Sequence, residues 1–87
     1  VRGLKRININ AYQKSMGELI DLSGVVDYNI SHHPDAINIP YQRLMLYYDH
    51  YLDKNKSYYL TCHKGIHSAK AVTMLEYLGY DVTQAVT

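Results

Sequence analysis

One thiol stands where a strand should give way to a helix. Cys62 is the chain's only cysteine, set in Tyr58-Tyr59-Leu60-Thr61-Cys62-His63-Lys64-Gly65-Ile66-His67-Ser68. A thiolate is a nucleophile, and it is held best by N–H donors and positive charge. The unpaired amides and the positive dipole end of a helix beginning just after Cys62 would supply both. The expectation is that the N–H groups of residues 63 to 68 ring the sulfur. Gly65 would permit the tight backbone path, and Lys64 and His67 would add positive character toward an anionic substrate. A free cysteine is most often a small buried apolar residue. The pattern Cys-x-x-Gly at a strand-to-helix junction favours the reactive reading. Cys62 with His63, His67, His32 and His33 also has zinc-ligand chemistry, but adjacent Cys-His cannot easily face one ion and His32 and His33 belong to a distant turn. No metal and no cofactor are expected.

Elements placed to present this loop can be read on both sides of it. Tyr58 to Thr61 is apolar, aromatic and β-branched, and Ser68 to Leu78 carries Ala71, Val72, Leu75 and Leu78 on one helical face, which leaves residues 62 to 67 as a connecting loop. Gly79 should stop that helix, with Tyr80 packing back on Leu75. Asp81 to Val86 then alternates as a closing strand through Val82 and Ala85. Upstream, Val1 to Arg6 reads as a loose lead-in, Ile7 to Ile9 as a very short strand, and Asn10 as the cap of a helical segment through about Met16, ended by Gly17. Glu18 to Leu22 reads as a buried strand broken by Ser23-Gly24. Val25 to Ile30 is a short helix or turn, Ser31 to Asp35 a loop, and Ala36 to Ile39 a brief strand closed by Pro40. Leu44, Tyr48, Tyr51 and Leu52 repeat at amphipathic-helix spacing between Tyr41 and Leu52. Short strands alternating with helices predict an α/β domain with a mainly parallel sheet of about five strands, flanked by helices, in which ligands sit beyond the strands' carboxyl ends.

With 87 residues, the chain suits a single domain spanning 1–87. Nine basic against eight acidic residues leave a net charge of +1, which gives no electrostatic case for nucleic acid or an anionic membrane. Ten tyrosines with no Phe or Trp read as core and rim packing. There is no internal disulfide to form, no bilayer-length apolar run and no signal-peptide pattern, so a cytoplasmic location is expected.

Two motifs then resemble the rhodanese-like sulfurtransferase family. Ile20-Asp21-Leu22, Asp27-Tyr28 and Ser31-His32-His33-Pro34-Asp35-Ala36-Ile37-Asn38-Ile39-Pro40 are similar to its Asp-containing strand, acidic-aromatic pair and Gly-His-Ile-Pro-Gly-Ala-x-Asn-Ile-Pro. Cys62-His63-Lys64-Gly65-Ile66-His67-Ser68 is similar to its active loop Cys-x-x-Gly-x-Arg-Ser, and both motifs come in the family's order and spacing. The resemblance implies a rhodanese-like fold and transfer of sulfane sulfur through a Cys62 persulfide. Its substrate would be held by His63, Lys64, Gly65, Ile66, His67 and Ser68, with a small molecule or protein persulfide as donor and acceptor, in a monomer. A non-catalytic module or a persulfide carrier is the alternative. Departures fall at Ser23, where the family has Arg, at Ser31 and Asp35 in place of glycines, and at His67 in place of Arg. The family continues past the position of Thr87 with a Gly-Gly turn and a closing helix, so further residues are expected there. A related phosphatase fits less well, because its loop of Cys, five residues and Arg would place that Arg at Ser68.

Overall fold

The computed structural model describes residues 5–87. Five strands, β1 (Arg6–Asn8), β2 (Glu18–Asp21), β3 (Ala36–Asn38), β4 (Ser57–Thr61) and β5 (Asp81–Val86), form one sheet in the order β1-β5-β4-β2-β3. Every pairing is parallel, so all five carboxyl ends lie at one edge of the sheet. Three helices connect them: α1 (Val25–Ile30), α2 (Tyr41–Tyr51) and α3 (Ile66–Tyr77). The expected α/β architecture is the one observed.

Alternation along the strands divides the core between two faces. Ile20, Tyr58, Leu60 and Val82 point to the face covered by α2 and α3, where they meet Leu44, Ala71, Val72 and Leu75. Leu19, Ala36 and Ala85 point to the other face and pack with Tyr12 and with Tyr28 of α1. The chain steps from β2 outward to β3 across one face, and from β3 to β4 and β4 to β5 in the reverse direction across the other, as a single crossover hand requires. The reversal opens a crevice between the carboxyl ends of β2 and β4.

The end of α3 follows the expected stop. Gly79 has φ 98°, its N–H donates to the Glu76 carbonyl at 3.0 Å, and the Tyr80 N–H reaches back to the Leu75 carbonyl at 3.0 Å. Tyr80 and Leu75 are buried in the same cluster, which completes a Schellman termination.

Three expectations are corrected. Val1 to Leu4 of the expected lead-in lie outside the described residues. Arg6, however, starts β1, and the Lys5 carbonyl accepts from the Gln84 N–H at 2.9 Å, so pairing with β5 reaches this far back. The helix expected from Asn10 to Met16 is two 3-10 turns, Ile9–Ala11 and Lys14–Met16, and the first is capped by Asn8, whose side chain accepts from the Asn10 N–H. Tyr12 breaks the segment. Its backbone is extended, its ring is buried against the sheet, and its hydroxyl donates to the Gly17 carbonyl at 2.6 Å. In α2, Tyr47 leaves helical geometry at φ −126°, ψ 31°, which turns Tyr51 toward solvent while Leu52, just past the helix, enters the core.

At the opposite, amino-terminal edge of the sheet, Asp81 accepts from Lys5 Nζ at 2.8 Å and Ser57 Oγ at 2.6 Å. The hydrogen bond from Lys5, then that from Ser57, holds its carboxyl below the ordinary carboxylate range. The carboxylate form is the one stabilised by folding, so the contribution is present above the unfolded pKa and fades as pH falls through the lower folded one. The pair is exposed, so Asp81→Asn should cost only a few tenths of a kcal/mol at neutral pH. Urea midpoints of the two proteins, measured down the acid limb, should converge below the ordinary carboxylate pKa; a constant gap would exclude this linkage.

Candidate active site

Cys62 follows the last residue of β4 at the mouth of the crevice. Its neighbour across the sheet is the turn that follows β2, which is tightly held. Asp21 Oδ1 accepts from the Ser23 N–H at 2.9 Å. The Asn38 side chain donates to the Asp21 and Ser23 carbonyls at 3.1 and 2.9 Å. The Ile39 and Tyr41 N–H groups donate to the Asp21 and Leu22 carbonyls, each at 3.0 Å. These bonds explain the chemistry of the Asp21 and Asn38-Ile39 positions: they fix the wall that faces Cys62.

The thiol loop turns at Gly65, φ 77°, which serves as the N-cap of α3. That left-handed geometry disfavours a side chain and lets the amides curl inward. The Gly65 N–H donates to Cys62 Sγ at 3.1 Å and the Ser68 N–H at 3.3 Å, while Ser68 Oγ lies 3.5 Å from the sulfur. Of the ring of amides expected from residues 63 to 68, these two make hydrogen bonds to the sulfur. α3 starts at Ile66, two residues before the expected Ser68, and its first two residues, Ile66 and His67, line the cleft.

A cleft of about 410 Å³ brings Cys62, His63, Lys64, Ile66 and His67 together with Ser23, Gly24 and Asp27. Gly65 and Ser68 stand behind the sulfur. The His67 ring stacks on Tyr41 with centroids 4.4 Å apart and planes 9° from parallel. His63 Nε2 lies 3.1 Å from the Ser31 carbonyl and so carries a proton there, since a carbonyl only accepts. His32 and His33 serve the turn before β3: His32 stacks on Tyr28 at 3.9 Å, and His33 Nδ1 accepts from the Asp35 N–H at 3.0 Å. Among the described residues, no three His, Cys, Asp or Glu side chains gather into a metal-binding group.

Two groups beside the loop have surroundings that the sequence did not announce. Ser23 is 7% exposed, and its Oγ is the one buried side-chain polar atom that lacks a hydrogen-bond partner among the described residues. It lines the cleft that holds Cys62. Gln84 is 2% exposed and donates from Nε2 to Ser68 Oγ at 2.9 Å and to the Gly65 carbonyl at 3.0 Å. A period of two from Val82 puts Gln84 on a core face, and a glutamine there was the signal that could have found it.

The family model for the rhodanese-like domain matches residues 4–86. The chain belongs to the rhodanese-like domain family. This rhodanese-like domain superposes on a rhodanese-related protein from Thermoplasma volcanium with a TM-score of 0.83 and 24% identity, covering 94% of this chain and 83% of that one. A rhodanese-like domain protein from Staphylococcus aureus gives 0.82 and 24%, covering 95% and 85%. An NAD-dependent persulfide reductase from A. fulgidus gives 0.74 and 20%, with 95% of this chain matching 15% of that one. At these identities the likenesses establish the fold of the rhodanese-like domain. No curated protein matches it. No helix among the described residues is long and apolar enough to cross a membrane.

Proposed function

We propose that the domain is a sulfurtransferase carrying sulfane sulfur as a Cys62 persulfide. The observation that supports this best is the pair of amides, from Gly65 and Ser68, aimed at the sulfur at the head of α3. The Cys62 thiolate attacks the outer sulfur of thiosulfate, a sulfur–sulfur bond forms to Cys62, and sulfite leaves with the electron pair of the broken bond. A thiophilic acceptor such as cyanide then takes the outer sulfur, and the thiolate returns. The open first-turn amides of α3 would receive the negative outer sulfur, and His63, Lys64 and His67 would offset the donor's charge. One structural relative is named a persulfide reductase, which is compatible with persulfide chemistry on this fold. Donor and acceptor would be small molecules or protein persulfides, and a reducing, cytoplasmic setting suits a lone free thiol.

The test is to incubate the protein with thiosulfate, weigh it intact, and then add cyanide. A gain of one sulfur atom, lost again with thiocyanate released, is the expected result. A gain without thiocyanate points to a persulfide carrier, and no gain with any sulfane donor excludes both.

A further inference from the structure

We infer that Gln84 is a positioning residue for Cys62, acting through the Ser68 hydroxyl and oriented by Arg6. The inference rests on the Cys62 reading above. Arg6 Nε lies 3.1 Å from Gln84 Oε1, and a guanidinium can only donate, so the amide oxygen must face Arg6. The amide nitrogen is thereby turned inward, where its two hydrogens go to the Gly65 carbonyl and Ser68 Oγ.

The number of hydrogens then limits where the Ser68 hydroxyl can donate. The Gly65 carbonyl already accepts from the Ala69 N–H at 3.2 Å and from Gln84, so its two lone pairs are engaged. Ser68 Oγ donates to that carbonyl at 3.3 Å, where it competes for an acceptor already engaged twice. Gln84 donates to the hydroxyl, so the single hydroxyl hydrogen is the one that can turn to a sulfur anion 3.5 Å away. Against a thiol, Ser68 Oγ accepts from S–H. Against a thiolate, it turns and becomes a third donor beside the two amides. Ser68 is fully buried, so no water competes for its hydroxyl. The permanent positive charge absent from position 67 is thus linked to the sulfur through Arg6, Gln84 and Ser68, joined by the parallel pairing of β1 with β5.

Gln84→Leu removes both inward hydrogens, so Ser68 would donate to the Gly65 carbonyl and turn from the sulfur. Gln84→Glu still engages Arg6 but presents an acceptor to Ser68, which would draw the hydroxyl hydrogen away. The readout is the rate of Cys62 alkylation by iodoacetamide against pH, which does not require sulfur transfer. The other titratable groups lining the clefts beside Cys62 are Asp27, Lys64, His63 and His67 on one side and Asp21, His32 and His33 on the other. None is replaced by these exchanges, and because Gln84→Glu also brings a carboxylate that disfavours a nearby thiolate, Gln84→Leu is the variant that isolates the hydroxyl.

The expected result is an alkylation rate at neutral pH about 3- to 10-fold lower in Gln84→Leu and lower again in Gln84→Glu, the size of one ordinary hydrogen bond. The curves should move to higher pH and reach the same high-pH plateau. In a Ser68→Ala background Gln84→Leu should add nothing, because its effect runs through the hydroxyl. Additive effects, a lowered plateau or unshifted curves would overturn the proposal. Should Gln84→Leu fail to fold, Arg6→Met, which frees the amide to flip, should shift the alkylation curve the same way, and an unshifted curve there would overturn the proposal equally. If sulfur transfer itself fails, wild-type protein shows no mass gain while the alkylation curves still shift, so the two readings fail separately.

Discussion

Cys62→Ser should abolish sulfur loading, with no mass gain from thiosulfate and thiocyanate formation down by at least about 10³-fold. Serine keeps the volume and the hydrogen-bonding sites, so the Gly65 and Ser68 amides would still find an acceptor. What is lost is the nucleophile: a serine hydroxyl stays protonated at neutral pH, and the described site offers no general base placed on it. The hydroxyl of Ser68, the nearest side-chain oxygen, is itself engaged with Gln84. The folded state should survive, with a urea midpoint close to wild type. Thiocyanate production persisting in a folded Cys62→Ser protein would remove Cys62 from the mechanism. Loss of activity together with loss of folding would show only that the position is structural, which is why both measurements are needed.

Leu60→Ala should be the most damaging of simple core truncations near the site, at about 3 kcal/mol within a usual range of about 2–5. Leu60 lies on β4 between β5 and β2, is 0% exposed, and belongs to the cluster that joins α2 and α3 to the sheet. Parallel pairing on both sides limits how far the strand can shift to refill the space. For a domain of this size the loss corresponds to a fall in Tm of roughly 12–24 °C. Ile37→Ala on the edge strand β3 is the control; Ile37 is 48% exposed and should change stability by about 0.5 kcal/mol or less. Equal losses at the two positions, read from urea melts, would contradict the division of the core described above.

The local features of the site were legible because local rules govern them. A strand of aromatic and β-branched residues, a glycine at the turn and a helix with one apolar stripe announce the loop that holds Cys62, and Gly79 followed by Tyr80 announces its far end. The segment from Asn10 to Met16 misled for the converse reason. Helix-compatible residues and a capping asparagine were present, but burial of the Tyr12 ring and its bond to Gly17 outweighed those small local preferences. Tyr47 shows the same in α2, where spacing foretold the helix and packing kinked it.

From its sequence alone, the chain determined a family, most of its strands and helices, and a thiol loop with its glycine turn, since each depends largely on neighbours a few residues apart. Only the tertiary structure decided what surrounds that thiol. Arg6 meets Gln84 because β1 lies beside β5; Gln84 meets Ser68 because α3 packs on the sheet; and Ser23 faces Cys62 because β2 lies beside β4. Hydrogen bonds between residues so far apart in the chain depend on strand order and register. Those follow from how the whole core fills two faces of a sheet, and no window of sequence contains that sum.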